Sequence, residues 1–495
     1  MSMISSDTRI PIVSIDIDGS YASGGSGALK YKRIVISNML DTGLRWNSSA
    51  GVKAVGPYLV SSKETMAADA GSGSIADWMG RFLFLNDKSV ETYVVYMKDA
   101  AAAVVATAQI AISGSSPAVA TVLSVWIFGI KVSCAVPASS SATTIAAALA
   151  AAITVTPGIP CTASAATGTI TLTMRNKGAF GNNMGDVRVQ YDDSEKVPAG
   201  LTVTITQFTN GAGNPNVADA IALLPKEWYQ VWNTPYADSA NMAAIDTELE
   251  LRFGPAYMID GLHIIGYPGS LSDLVTYGDS LNSKHHIVIE SHKIPSGAVA
   301  VSAAATGVVS REAQIDPARP FQSLALLGIL PPRFEERFDP ISEDNTLLWH
   351  GIATTQAVVD KVNIQRLITT YRLNGLGAQD ISYLDATRRF TLMYLRFSIR
   401  NRFATKYPRH KLAKDGTNFG PDQRVITPSM AMGEVVDLFS DWEKKGLVEN
   451  FDQFKKTLFV EKVEGQDRLN LVCYPDLIDQ FIVMGMSLRF LLGGL

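Results

Sequence analysis

The chain has 495 residues, 47% of them hydrophobic and 18% charged, with 39 glycines and 22 prolines, which excludes collagen-like repeats, coiled coil and wholesale disorder. At ~150 residues per domain the length points to about three domains. Forty-three basic against 47 acidic side chains leave a net charge of −4, so no global basic field draws the surface onto nucleic acid or an anionic membrane.

The three cysteines, Cys134, Cys161 and Cys473, are odd in number and widely separated, which suits neither a disulfide framework nor a paired-ligand zinc site. Met1 to Arg9 carries Ser and Asp in place of a basic segment followed by an apolar one, so no secretory signal is readable. The most apolar run, Thr144 to Val155, falls short of the ~20 residues a spanning helix needs. Cytoplasmic synthesis is the expectation.

Val13, Ile15 and Ile17 alternate with Ser14, Asp16 and Asp18, and Gly19 to Gly27 follows as a flexible tether. Residues 1–28 therefore read as an arm and linker, and 29–96 as the first part of an α/β core. From Ala100 to Met174 the only charged side chain is Lys131. Ile170, Leu172 and Met174 alternate with threonines, as do Leu201, Val203 and Ile205, which is the period of half-buried strands. Residues 97–212 are expected to form an inserted β-rich domain with one Ala-rich helix near 143–154.

Beyond the turn Asn210 to Pro215 the period changes. Helices are expected over Val217 to Trp232, Ser239 to Phe253 (capped by Ser239) and Ser270 to Asn282, with strands at Gly261 to Tyr267 and His286 to Glu290. Such alternation argues for a mostly parallel sheet in an α/β domain over 213–380 that recruits the segment near 30–96. Residues 381–480 open with a helix from Leu384 to Phe403, followed by helices at Met430 to Lys445 and Asn450 to Thr457 and two strand-like runs. At the end Ile482, Met484, Met486, Leu488 and Phe490 occupy alternate positions, an apolar strand over 481–495. Both terminal strands have two readings: pairing within their own chain, or completing a sheet in a neighbouring copy.

Candidate chemistry is sparse. No phosphate-binding motif occurs, so nucleotide hydrolysis is not expected. His286, Glu290 and His292 would share one strand face with His285 close by, but ligands four and six apart along a strand do not converge on one metal. Asp41-Thr42-Gly43, His350-Gly351 and Thr427 to Ala431 stand in the order of a subtilase triad, giving Asp41, His350 and Ser429 as the alternative reading of a serine hydrolase. The second histidine of that motif is replaced, and Pro428 sits where a tight glycine-led turn is expected. From Arg388 to Lys414 there are nine basic side chains and no acid. On a helix Arg389, Arg396 and Arg400 fall in one stripe beside Leu392, Leu395 and Ile399, a surface for an anionic partner, whether nucleic acid or an acidic protein.

Several segments carry a resemblance: Lys177 to Asn182; Leu201 to Gln207 running into Gly211 to Pro215; Trp228-Tyr229-Gln230 with Asn233 to Tyr236; Asp316 to Pro320; and Gly446 to Asp452. In these the chain resembles the contractile tail sheath proteins of Mu-like bacteriophages, from about residue 50 to the end. The resemblance implies an α/β plus β multidomain fold with a non-catalytic, subtilisin-like α/β core, a β-rich outer domain and an α+β inner domain with extended arms. It implies a non-enzymatic virion subunit, assembled in the host cytoplasm, that stacks as hexameric rings around the tail tube and contracts to drive the tube through the host envelope. Its partners would be other copies, the tube protein, and baseplate and tail terminator proteins, with no cofactor, metal, nucleic acid or membrane insertion. Carried onto this chain, the N-terminal arm is Val13, Ile15 and Ile17 and the C-terminal arm is Ile482 to Phe490. Tube contact falls either to Arg389, Arg396 and Arg400 or to Lys444, Lys445, Lys455 and Lys456.

Overall fold

The computed structural model describes residues 29–49, 51–114, 118–191 and 195–490, so the N-terminal arm at Val13, Ile15 and Ile17 lies outside the described residues. Two compact units result, one of 31–390 with 481–490 and one of 29–30 with 391–480; the division falls inside the helix Ala386–Lys406.

The larger unit is built on a nine-stranded sheet. Its spatial order is Leu324–Leu326, Lys361–Arg366, Ile352–Val358, His286–Glu290, Leu262–Tyr267, Val231–Asn233, Lys32–Asn38, Glu91–Met97 and Ala54–Val60. The middle pairs run parallel, and antiparallel strands close both edges. Parallel strands are covered on both faces, and the sequence answers with unbroken apolar runs: in Lys32–Asn38 every residue after Lys32 is buried, and His286–Glu290 is buried throughout.

The helix Gly297–Ile315 packs against this sheet almost wholly buried, and no amphipathic period announces it. Its chain of Ala, Val, Gly and Ser lets backbones approach closely: a Cβ on Gly266 would stand 2.2 Å from the Ala298 carbonyl oxygen, and one on Gly307 2.8 Å from that of Leu83. The buried hydroxyls of Ser302, Thr306 and Ser310 donate to carbonyls of their own helix, to Val299, Ser302 and Gly307. No polar face is needed.

The helix expected over Val217 to Trp232 is corrected. Only Ala218–Ile221 is helical, because Pro225 removes a donor and clashes with the preceding turn, and Val231–Asn233 becomes a central strand instead. The helix Ser239–Phe253 forms, with Asp238 and not Ser239 as its cap, accepting from the Asn241 amide.

The β-rich region holds a four-stranded antiparallel sheet (Leu201–Thr209, Thr107–Gly114, Thr169–Met174, Cys161–Ala166) and a three-stranded one (Ile130–Val136, Thr121–Ile127, Val187–Arg188) around the helix Ala142–Val155. Ile170, Leu172 and Met174 point inward as their alternation requires. At the base of this region the Asp99 carboxylate accepts from Asn38 Nδ2 at 2.7 Å, Asn176 Nδ2 at 3.0 Å and the Lys177 amide at 2.8 Å, joining the insert to the end of the central strand.

The smaller unit packs Pro428–Lys444 and Phe451–Thr457 against the remainder of the helix that ends at Lys406. Thr427 caps the second helix and Pro428 occupies its first position, where a missing N–H costs nothing. Trp442, fully buried, donates from Nε1 to Ser398 Oγ at 2.9 Å, and Phe439 stacks on Phe454 with centroids 4.2 Å apart. Glu434 draws Arg402, Lys406 and Tyr407 together; burial alone would raise its pKa, but these donors outweigh it and hold the carboxylate below its ordinary value.

Deepest in the larger unit, Arg33 is fully buried and pairs with Asp87 at 2.8 Å, Thr92 Oγ1 at 2.7 Å and Ser310 Oγ at 2.9 Å, tying strand, loop and buried helix. Burial pulls this guanidinium down to about 10 despite the Asp87 charge. Removing one partner would leave a buried charge, so Asp87→Ala is expected to destabilise the subunit by about 3–5 kcal/mol, read by urea unfolding. A change under ~1 kcal/mol would mean that the pair is dispensable.

Candidate functional site

The clearest functional feature is the C-terminal segment. The alternation of Ile482 to Phe490 suggests a strand, but the segment forms no strand and has no ladder partner among the described residues. It joins its unit through Gln322 Nε2, which donates to the Phe481 carbonyl at 3.4 Å. Beyond Ile482, at 37%, exposure is 69% for Met484, 73% for Met486, 82% for Leu488 and 78% for Phe490. Expectation and structure differ for a physical reason: a strand needs a partner, and the described residues offer it none. A contiguous apolar run open to water marks an interaction surface.

The smaller unit has an open sheet edge of its own. Phe459–Lys462 and Leu469–Val472 form a two-stranded hairpin with no further strand on either outer edge among the described residues. Phe459, Val472 and Tyr474 are exposed beside it. Unpaired backbone groups along an open strand edge are a template for pairing with another strand.

The expected basic stripe is not a common surface, and Arg389 is corrected. That side chain is fully buried, its guanidinium 4.8 Å from the Phe253 ring centroid and 5.4 Å from that of Tyr383, with Nη2 3.5 Å from His285 Nδ1. Delocalised charge on aromatic faces makes burial tolerable there. Arg396 is half-buried, whereas Arg400, Lys444, Lys455 and Lys456 are exposed, and none of those four forms an ion pair among the described residues. Lys445 lies over the Tyr394 ring at 4.9 Å and donates to its hydroxyl.

The three residues of the hydrolase reading each have other company. His350 Nδ1 lies 2.7 Å from Asp279 Oδ1, and Ser429 Oγ donates to Asp415 Oδ1 at 2.6 Å at the start of Pro428–Lys444. Asp41 sits exposed in a turn. Among the described residues no hydrogen bond joins any two of the three. A nucleophile needs its base within hydrogen-bond reach.

The histidines spread apart instead of converging. His263 Nδ1 meets His286 Nδ1 at 3.1 Å while its Nε2 meets Thr234 Oγ1 at 3.0 Å. His285 Nε2 faces Glu250 at 2.9 Å. Burial is the main cause that lowers the pKa of His263 and His286, and it brings His285 to about 4, so all three are neutral at pH 7. His292 stacks on Phe338 at 4.1 Å. No group of three His, Cys, Asp or Glu side chains is placed to hold a metal among the described residues.

At the end of the strand His286–Glu290 a cavity of about 420 Å³ opens between Phe334, Phe338, Pro340 and two buried carboxyls, Glu290 and Asp344. Glu290 accepts from the His292 amide at 2.8 Å and from Thr355. Burial and the neighbouring Glu290 push Asp344 up to about 7.

A family model described as the phage tail sheath C-terminal domain matches residues 378–490, a span that includes the exposed apolar segment. The chain is 34% identical over 491 residues to the Mu-like prophage FluMu tail sheath protein of Haemophilus influenzae, covering 99% of each. Among solved structures, a sheath tail protein of Desulfitobacterium hafniense aligns at 11% identity and a TM-score of 0.45, covering 94% of this chain and 100% of that one. One from Listeria innocua aligns at 10% and 0.45, covering 92% and 94%.

The raised Asp344 gives a pH test. Unfolded, this carboxyl ionises near 3.8; folded, it keeps its proton to about 7, so between those values the folded state binds more protons and stability falls as pH rises. Asp344→Asn should flatten the decline of melting temperature between pH 4 and 7, followed by calorimetry. Equal slopes in variant and parent would contradict the assignment.

Proposed function

The chain belongs to the Mu-like phage tail sheath family, and we propose that it is the contractile subunit, stacking as hexameric rings around the tail tube and shortening to drive the tube through the host envelope. The observation that carries this reading is the unpartnered apolar arm at Ile482 to Phe490. Main-chain hydrogen bonds to a neighbour's open hairpin at Phe459–Lys462 and Leu469–Val472 supply affinity, and the alternating side chains supply register. The N-terminal arm at Val13, Ile15 and Ile17, on its Gly/Ser tether, acts in the same way.

The rest of the chain fits such a part. The nine-stranded sheet with its buried helix serves as the rigid, subtilisin-like body, used without catalysis, since His350 and Ser429 are engaged by Asp279 and Asp415. The stretch from Ala100 to Met174, with Lys131 as its only charge, belongs to the outer surface and slides past its neighbours without strong ion pairs. Either the exposed Arg400 with the half-buried Arg396, or the lysines Lys444, Lys445, Lys455 and Lys456, face an acidic tube surface. Each exposed pair there is worth about 0–1 kcal/mol, weak enough to release in sequence. Contraction draws on new burial between subunits, two packings of the same rigid bodies, and needs no nucleotide. The assembly is part of the virion tail, is made in the host cytoplasm, and is bounded by baseplate and tail terminator proteins.

Two experiments test this. Leu488→Asp with Phe490→Asp should abolish tubes in negative-stain micrographs while the soluble subunit keeps its melting temperature; abundant tubes would remove the arm from assembly. Changing Arg400, Lys444, Lys455 and Lys456 to Glu should leave self-assembly intact and lower tube capture in a salt-dependent way. Unchanged capture would take this cluster off the tube.

A further inference from the structure

The arm contains two methionines, and the fold treats them unlike the others. Met39, Met66, Met79, Met97, Met174, Met184, Met242 and Met393 are each at most 2% exposed, whereas Met484 and Met486 stand at 69% and 73%. Among the described residues Met430, at 41%, is the next most open. Both arm thioethers lie at even positions, on the side of the strand that also carries Ile482, Leu488 and Phe490. That is the face that the neighbour's sheet must cover.

We propose that Met484 and Met486 form an oxidation-sensitive modification site that blocks subunit assembly and becomes protected once the arm has paired. The proposal rests on the arm reading given above. The oxidant is a peroxide. The thioether sulfur attacks the O–O bond, one oxygen is transferred to form S=O, and the other leaves as water; sulfur loses two electrons and the peroxide is reduced. No other group is required.

The product converts a flexible apolar side chain into a polar one whose oxygen must be desolvated when the arm docks. Burying an unsatisfied polar group opposes association strongly, and two on one face compound the effect. Leucine has almost the same volume and cannot be oxidised in this way, so Met484→Leu with Met486→Leu keeps the apolar face and removes the chemistry. The site is open only before assembly. Once paired, the same sulfurs are sealed from solvent by the contact that their oxidation would prevent.

The test uses purified full-length subunits and hydrogen peroxide. Peptide mass spectrometry should find sulfoxide at Met484 and Met486 well before Met66 or Met79, and tube yield by sedimentation should fall by about tenfold or more. The double leucine variant should assemble equally well with and without peroxide, and a methionine sulfoxide reductase should restore the oxidised parent. Tubes exposed to peroxide after assembly should show the arm methionines protected. If arm sulfoxides form and the subunits still assemble in full while Leu488→Asp with Phe490→Asp blocks assembly, the oxidation proposal fails and the arm reading stands. If neither change affects tubes, both fail. If the leucine variant remains as peroxide-sensitive as the parent, the sensitive site lies elsewhere and the proposal is overturned.

Discussion

Six apolar side chains on the nine residues from Ile482 to Phe490 cannot remain in water without cost, and that constraint organises this molecule. Fully burying a side chain of this size is worth about 1.5–3 kcal/mol, and the run from Ile482 to Phe490 leaves nearly all of that unrealised within its own chain. Its backbone donors and acceptors are likewise outside any ladder. A sheet edge on another copy, as proposed, would meet both deficits together. The hairpin of the smaller unit has the matching feature, outer edges with no further strand among the described residues. Donor and acceptor in one chain make association open-ended, since each copy that satisfies a neighbour still presents its own unmet half.

The larger unit is built for the opposite property. Its parallel strands are buried on both faces, its helix Gly297–Ile315 is buried over most of its length, and its deeply buried guanidinium Arg33 has its donors taken up by Asp87, Thr92 and Ser310. The insert is joined at Asp99 by three hydrogen bonds. Interiors packed this way transmit displacement instead of absorbing it. The proposed contraction by rearranging subunits needs rigid bodies, and the larger unit has the packing of one.

What the sequence disclosed followed from periodicity. Thr169–Met174, His286–Glu290 and Ser239–Phe253 emerge with nearly the extents their patterns suggest, because each has one wet and one dry face or a continuous apolar run between clear stops. Gly297–Ile315 was invisible because complete burial erases the period from which a helix is inferred. The region after Val217 misled because apolar spacing continues across Pro225, and backbone chemistry overrules it. Arg389 misled because a helical wheel places it beside Arg396 and Arg400 but knows nothing of Phe253 and Tyr383, brought there by the sheet. The C-terminal arm was legible as an apolar alternation; its lack of a partner within the chain was not, since the same pattern serves a strand paired at home.

The account stands on where Ile482 to Phe490 finds its partner in the finished particle. Electron cryomicroscopy of the assembled tubes, at a resolution that traces main chain, measures this directly. The account predicts that the segment leaves its own body and lies hydrogen-bonded along a hairpin edge of a different copy, with Met484, Met486 and Leu488 covered. Density showing it folded back onto its own chain, or still exposed between copies, would contradict it.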